Sequence, residues 1–123
     1  MLKVAIEQWD RAAVASWSPA DPAECVTNAF YAYENALMAA AHAIGRRATT
    51  KHYEKAALAG DMFQRNELKT DVSEKIDELN ELRKDVQYGE PGPELRSYDL
   101  EDLVAELEEF LDEVREVIDG LDS

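Results

Sequence analysis

At 123 residues the chain has the length of one domain, and a hydrophobic share of 46% is enough for one packed core. A formal net charge of −14 repels nucleic acid and membrane phosphate at long range. No apolar run approaches the roughly 20 residues of a membrane span, and charged residues interrupt any secretory core at the N-terminus. The single cysteine, Cys25, permits no intrachain disulfide and suits a reducing compartment, so a cytoplasmic location is expected.

The first helix is expected over residues 3–17, because Leu2, Ile6, Trp9, Ala13 and Trp17 recur at spacings that place them on one face. Pro19 and Pro22 end that segment. Asp21 is the expected cap of a second helix over 22–44, with Pro22 in its first turn. The second stripe is Val26, Ala29, Phe30, Tyr33, Leu37, Ala40 and Ile44. Its many alanines allow close approach by neighbours, which predicts the central helix of the fold. Gly45 is the expected left-handed terminator.

The segment that follows holds the only basic patch, with Arg46, Arg47, Lys51 and Lys55. It reads either as a phosphate-binding surface or as a solvated terminus whose cations suit the end of the second helix. Thr50 is the expected cap of a third helix over 51–66, weakened by Gly60 at a cost of about 1 kcal/mol. A fourth helix starts from Asp71, with Glu74 three residues on, and runs to about residue 88, where Gly89, Pro91 and Pro93 stop it. The fifth begins at the Asp99 cap and carries Leu100, Leu103, Val104, Leu107, Leu111, Val114, Ile118 and Leu121 on one face. Residues 99–123 hold eleven acids and one base, Arg115, a net of −10; residues 1–98 hold sixteen acids and twelve bases, a net of −4. That acidic end reads as a solvated face or as a docking surface for a basic partner. The whole predicts an all-α, antiparallel up-and-down bundle of four to five helices in one domain spanning 1–123.

Metal patterns are missing. His42 and His52 are preceded at the relevant spacing by Ala39 and Thr49, so neither completes a Glu-x-x-His pair. No phosphate-loop, dinucleotide or nucleophile-elbow motif occurs either. No metal and no cofactor is therefore expected.

One residue breaks the pattern. On the fourth helix Val72, Ile76, Leu79, Arg83 and Val86 follow spacings of 4, 3, 4 and 3, so an arginine occupies the apolar stripe. A buried, unpaired guanidinium costs several kcal/mol, and so requires a carboxylate, an interface or an anionic ligand, unless its head reaches water. Tyr88 follows five residues later. A five-residue step turns the ideal helix by about 140°, so only a relaxed last turn brings its hydroxyl towards Arg83.

The segment Leu82-Arg83-Lys84-Asp85-Val86-Gln87-Tyr88-Gly89, followed by a leucine- and acid-rich last helix, resembles the closing motif of HEPN domains (higher eukaryotes and prokaryotes nucleotide-binding). Ala29-Phe30-Tyr31-Ala32-Tyr33-Glu34-Asn35-Ala36-Leu37 resembles that family's second helix, and Lys51-His52 its Ser/Lys-His. The resemblance covers about residues 22–118. It implies a dimerising helical bundle. Many members are metal-independent endoribonucleases of toxin–antitoxin systems, often partnered by a nucleotidyltransferase-like antitoxin. Arg83 matches the family's catalytic arginine, and Tyr88 stands nearest to its histidine. Tyrosine, with an ordinary pKa near 10, is a poor general base at neutral pH. The expected function is therefore a dimeric nucleotide- or RNA-associated binding module with a degenerate nuclease motif. The alternatives are an endoribonuclease toxin, with Arg83 and Tyr88 or His52 as its catalytic residues, and a structural adaptor. Arg83, Arg46, Arg47 and Lys51 are the expected phosphate-binding residues.

Overall fold

The computed structural model describes residues 2–17, 21–47, 49–87 and 98–121. Five helices account for most of them: α1 (Leu2–Ala15), α2 (Pro22–Ala43), α3 (His52–Gln64), α4 (Ser73–Gln87) and α5 (Leu100–Leu121). They pack as an all-α antiparallel bundle, with no strand among the described residues.

The central position of α2 follows from its composition. Ala29, Ala32, Ala36, Ala40 and Ala41 are all fully buried, and α1, α3, α4 and α5 each pack against this helix. Small side chains leave room for backbone to approach from several directions at once. Larger residues between them fill the core: Phe30, Tyr33 and Leu37 from α2, Met62 from α3, Ile76 and Leu79 from α4, and Leu103, Leu107 and Val114 from α5. Tyr33 and Phe110 stack at 5.5 Å between ring centres, joining α2 to α5.

The termini of the helices are set by local chemistry. Asp21 accepts the Glu24 N–H at 3.1 Å and Asp99 accepts the Asp102 N–H at 3.0 Å, as their cap positions require. Asp71 sits one residue earlier than expected: its carboxylate accepts the Ser73 N–H (3.0 Å) and the Ser73 hydroxyl (2.6 Å), and the first helical bond runs from Ile76 to the Val72 carbonyl. α2 and α3 end alike. Gly45 at φ +81° lets the Arg46 N–H reach back to the Ala41 carbonyl, and Asn66 at φ +61° does the same for Glu67 and Met62.

Two further expectations need correction. The first residue of α3 is His52, and the residue before it, Lys51, makes no side-chain cap; Thr50 does not cap. Thr49 instead hydrogen-bonds the Glu54 carboxylate. On α1 the most buried residues are Ala5 and Ala12, while Trp17 is 66% exposed. The Ser16 N–H splits between the Ala12 and Ala13 carbonyls, so the helix tightens and stops before Trp17 can join its stripe. Trp9 keeps its expected place and donates its indole N–H to the Val104 carbonyl of α5 at 3.1 Å.

Candidate functional site

Among the described residues two charged side chains lie buried within the bundle, Arg83 of α4 at 9% exposure and Glu34 of α2 at 2%. Both follow from helical register. Arg83 continues the Ile76–Leu79 stripe, and Glu34 lies one turn beyond Phe30 on the buried face of α2.

Among the described residues the Arg83 guanidinium is held but not neutralised. Nη2 donates to the Asn80 Oδ1 at 3.0 Å and Nη1 to the Tyr31 hydroxyl at 3.4 Å. Its carbon lies 4.9 Å from the centre of the Phe30 ring and 5.6 Å from that of Tyr31, so two aromatic rings flank the cation. Among the described residues no carboxylate pairs with it, and Nε is buried without any hydrogen-bond partner. Of the five N–H donors that a guanidinium carries, the described residues engage one on each terminal nitrogen.

Glu34 is the opposite case. Oε2 lies 2.6 Å from Nδ1 of His52, and Oε1 lies 3.6 Å from the Lys55 ammonium. Both partners come from the first turn of α3, and His52 remains 40% exposed at its side chain. With Nδ1 committed to the carboxylate, the other ring nitrogen, Nε2, is the one left to act on a second group.

Phe30 connects the two halves. The His52 ring centre is 5.2 Å from that of Phe30, so His52 and Arg83 both pack on one phenylalanine. Their separation therefore cannot exceed the sum of those two contacts. The fold thus brings His52 towards Arg83 from a different helix. Tyr88, the residue expected beside Arg83, lies outside the described residues.

The basic patch divides. Arg46, expected to bind phosphate, is taken up by two carboxylates: Nη1 lies 2.9 Å from Asp61 Oδ2, and Nε donates to Glu67 at 3.1 Å. It ties the ends of α2 and α3 together. Lys55 is committed to Glu34. Arg47 and Lys51 pair with no acid among the described residues. They border an open groove of about 660 Å³, which Thr49, Thr50, Glu54 and Leu58 also line. The Lys51 ammonium lies 5.8 Å from the centre of the exposed Tyr53 ring.

No protein-family model, curated protein or solved structure matches this chain.

Sequence reasoning located Arg83 but passed over Glu34, Tyr31 and Asn80. The signal for Glu34 was present: Phe30, Glu34 and Leu37 follow spacings of 4 and 3, so an acid breaks the α2 stripe just as Arg83 breaks that of α4. Asn80 and Tyr31 carry no comparable signal, because polar residues at half-buried helix positions are common. Among the described residues no group of His, Cys, Asp and Glu is arranged to hold a metal ion.

Proposed function

We propose that the bundle is a binding module for a phosphate-bearing ligand, a nucleotide or RNA, with Arg83 as the anion anchor. The observation that carries this is the nine-tenths buried guanidinium whose Nε has no partner and which no described carboxylate neutralises. Leaving a cation so placed is costly unless something anionic meets it. A planar fork with open donors is suited to phosphate oxygens. The aromatic rings of Phe30 and Tyr31 exclude water on the side they cover, which strengthens any charge-assisted bond formed there.

The resemblance of the Arg83 segment and the α2 segment to HEPN domains supports the same reading, and extends it to a homodimer that pairs with a nucleotidyltransferase-like antitoxin. Arg47 and Lys51 are the accessory cations for a ligand longer than one phosphate. Arg46 is not among them, since its charge is already met by Asp61 and Glu67. The chain's net charge of −14 implies that binding is local and short-ranged, because the overall field opposes a polyanion.

Thermal unfolding with inorganic phosphate and with nucleoside monophosphates tests the proposal. The wild-type midpoint should rise with ligand concentration, as mass action on the folded state requires, and that of Arg83→Ala should not. A midpoint that no phosphate compound moves would leave only the structural adaptor. Sedimentation at micromolar concentration tests the dimer, with a monomer as the contrary result.

A further inference from the structure

We propose that the cavity where α2, α4 and α5 meet is a binding site for a primary alkylammonium, carried by a free polyamine or by a lysine side chain. It shares no residue with the Arg83 site and does not depend on it.

The cavity measures about 140 Å³. Tyr33 of α2 and Phe110 of α5 form its aromatic wall, and Asp71, Lys75, Glu106 and Glu109 supply its charged lining. Tyr33 is the residue that carries the proposal. It is 2% exposed, yet its hydroxyl forms no hydrogen bond among the described residues. Buried tyrosine hydroxyls ordinarily find a partner. The Tyr33 ring stacks on Phe110 with 27° between the planes, and its phenol end meets the cavity near Glu106, Lys75 and Glu109. Burial, reinforced by Glu106, holds that phenol protonated well above its ordinary range. It therefore stays neutral and offers its lone pairs to a donor.

The charges around the hydroxyl choose the sign of the ligand. Three carboxylates face one ammonium, and that ammonium is already engaged: Lys75 Nζ lies 3.2 Å from Glu106 and 3.5 Å from Glu78. Glu109 pairs with no cation among the described residues. It also belongs to a stripe, because Asp102, Glu106, Glu109, Glu113 and Glu116 recur at spacings of 4, 3, 4 and 3 along one side of α5. Glu106 pushes the Asp102 carboxyl up, a like-charge repulsion that an incoming cation relieves. The field of the stripe draws cations to the mouth of the cavity and repels anions.

The walls choose the kind of cation. Among the described residues no group of acids is arranged to hold a metal ion. The two rings instead offer a face that attracts an ammonium and covers a methylene stem. An alkylammonium seated here donates to the Tyr33 hydroxyl and to the Glu109 carboxylate, with its stem against Phe110.

Titration of the full chain with n-butylammonium chloride, followed by the ring signals of Phe110 in a carbon-13 spectrum, tests the site. These signals should move saturably, while sodium chloride at equal ionic strength and n-butanol leave them in place. Tyr33→Phe removes a hydroxyl that bonds nothing described, and Glu109 is exposed, so both Tyr33→Phe and Glu109→Gln should keep the wild-type Tm. Each should weaken binding about 10-fold. Glu108→Gln, also exposed and one residue away on α5, should bind as the wild type does. The absence of a saturable shift, an equal loss in Glu108→Gln, or full affinity in both Tyr33→Phe and Glu109→Gln would overturn the proposal. So would magnesium chloride moving the same signals at lower concentration than butylammonium, which would mark a metal site. Spermidine and N-acetyl-lysine methylamide then separate the two carriers, since whichever binds more tightly in the wild type and loses that affinity in Tyr33→Phe is the one the cavity accepts.

Discussion

Glu34, in the middle of α2, holds His52, the first residue of α3, through a 2.6 Å contact between Oε2 and Nδ1. The same carboxylate faces Lys55 one turn further along α3. A single buried acid therefore orients a ring and neutralises an ammonium. Removing its charge leaves Lys55, itself mostly buried, without a counter-ion among the described residues. Glu34→Gln should cost about 2 kcal/mol of stability, less than the breaking of a fully buried pair because both partners keep some contact with water. Urea unfolding of the purified variant measures this, and an unchanged midpoint would show that the carboxylate contributes nothing to the fold.

Arg83 should behave in the opposite sense. Its Nε is buried without a partner, and desolvation of the guanidinium offsets much of what it gains from Phe30 and Tyr31. Arg83→Met keeps the length and removes the charge, so stability should be unchanged or raised by about 1 kcal/mol while phosphate binding is lost. A loss above about 2 kcal/mol on the same urea assay would mark Arg83 as a structural residue instead.

The two helical stripes that carry charges show what the sequence makes legible. Residues at spacings of 3 and 4 placed α2 at the centre, put the leucines of α5 into the core and singled out Arg83, because burial in a bundle follows register. The same rule applied to α2 would have found Glu34. Register says little about what lies across from a side chain. That Asn80 and Tyr31 reach Arg83, or that His52 packs on the same phenylalanine, depends on how α2, α3 and α4 cross, and pairwise contacts of that kind leave no mark in periodicity. Arg46 shows the converse. Among four clustered cations its position is unremarkable, and only the fold reveals Asp61 and Glu67 beside it. On α1, large residues drew the stripe towards Trp17, whereas the tight contact is made by Ala5 and Ala12.

That contact on α1 gives a packing test. Ala12 is fully buried and Val14 is exposed. Ala12→Leu inserts three carbons where the interior is already close-packed, and should destabilise the bundle by about 1–3 kcal/mol. Val14→Ser should stay within about 0.5 kcal/mol of the parent. Thermal denaturation of the pair separates a tight α1 from a loosely docked one.

Cys25 offers a probe of opening. Burial, with a smaller contribution from Asp21, pushes its thiol up from 9.0 to about 11. Near neutral pH its thiolate fraction is then roughly 100-fold below that of the unfolded chain, so alkylation should proceed only through unfolding. The sign of the pH dependence follows. Between 9.0 and about 11 the folded chain keeps a proton that the unfolded chain releases. The stability from this group is complete below about pH 9 and is lost as pH rises through about 11. Iodoacetamide labelling that matches the reaction of a free thiol in the native state would contradict this burial.

The anchor itself is open to direct observation. In an arginine-selective nitrogen-15 spectrum, the Nε–H correlation of Arg83 should move progressively on addition of inorganic phosphate, and be assigned by its disappearance in Arg83→Met. If the Arg83 signal stays fixed while the amides of Arg47 and Lys51 move, phosphate binds in the neighbouring groove and Arg83 is not its anchor.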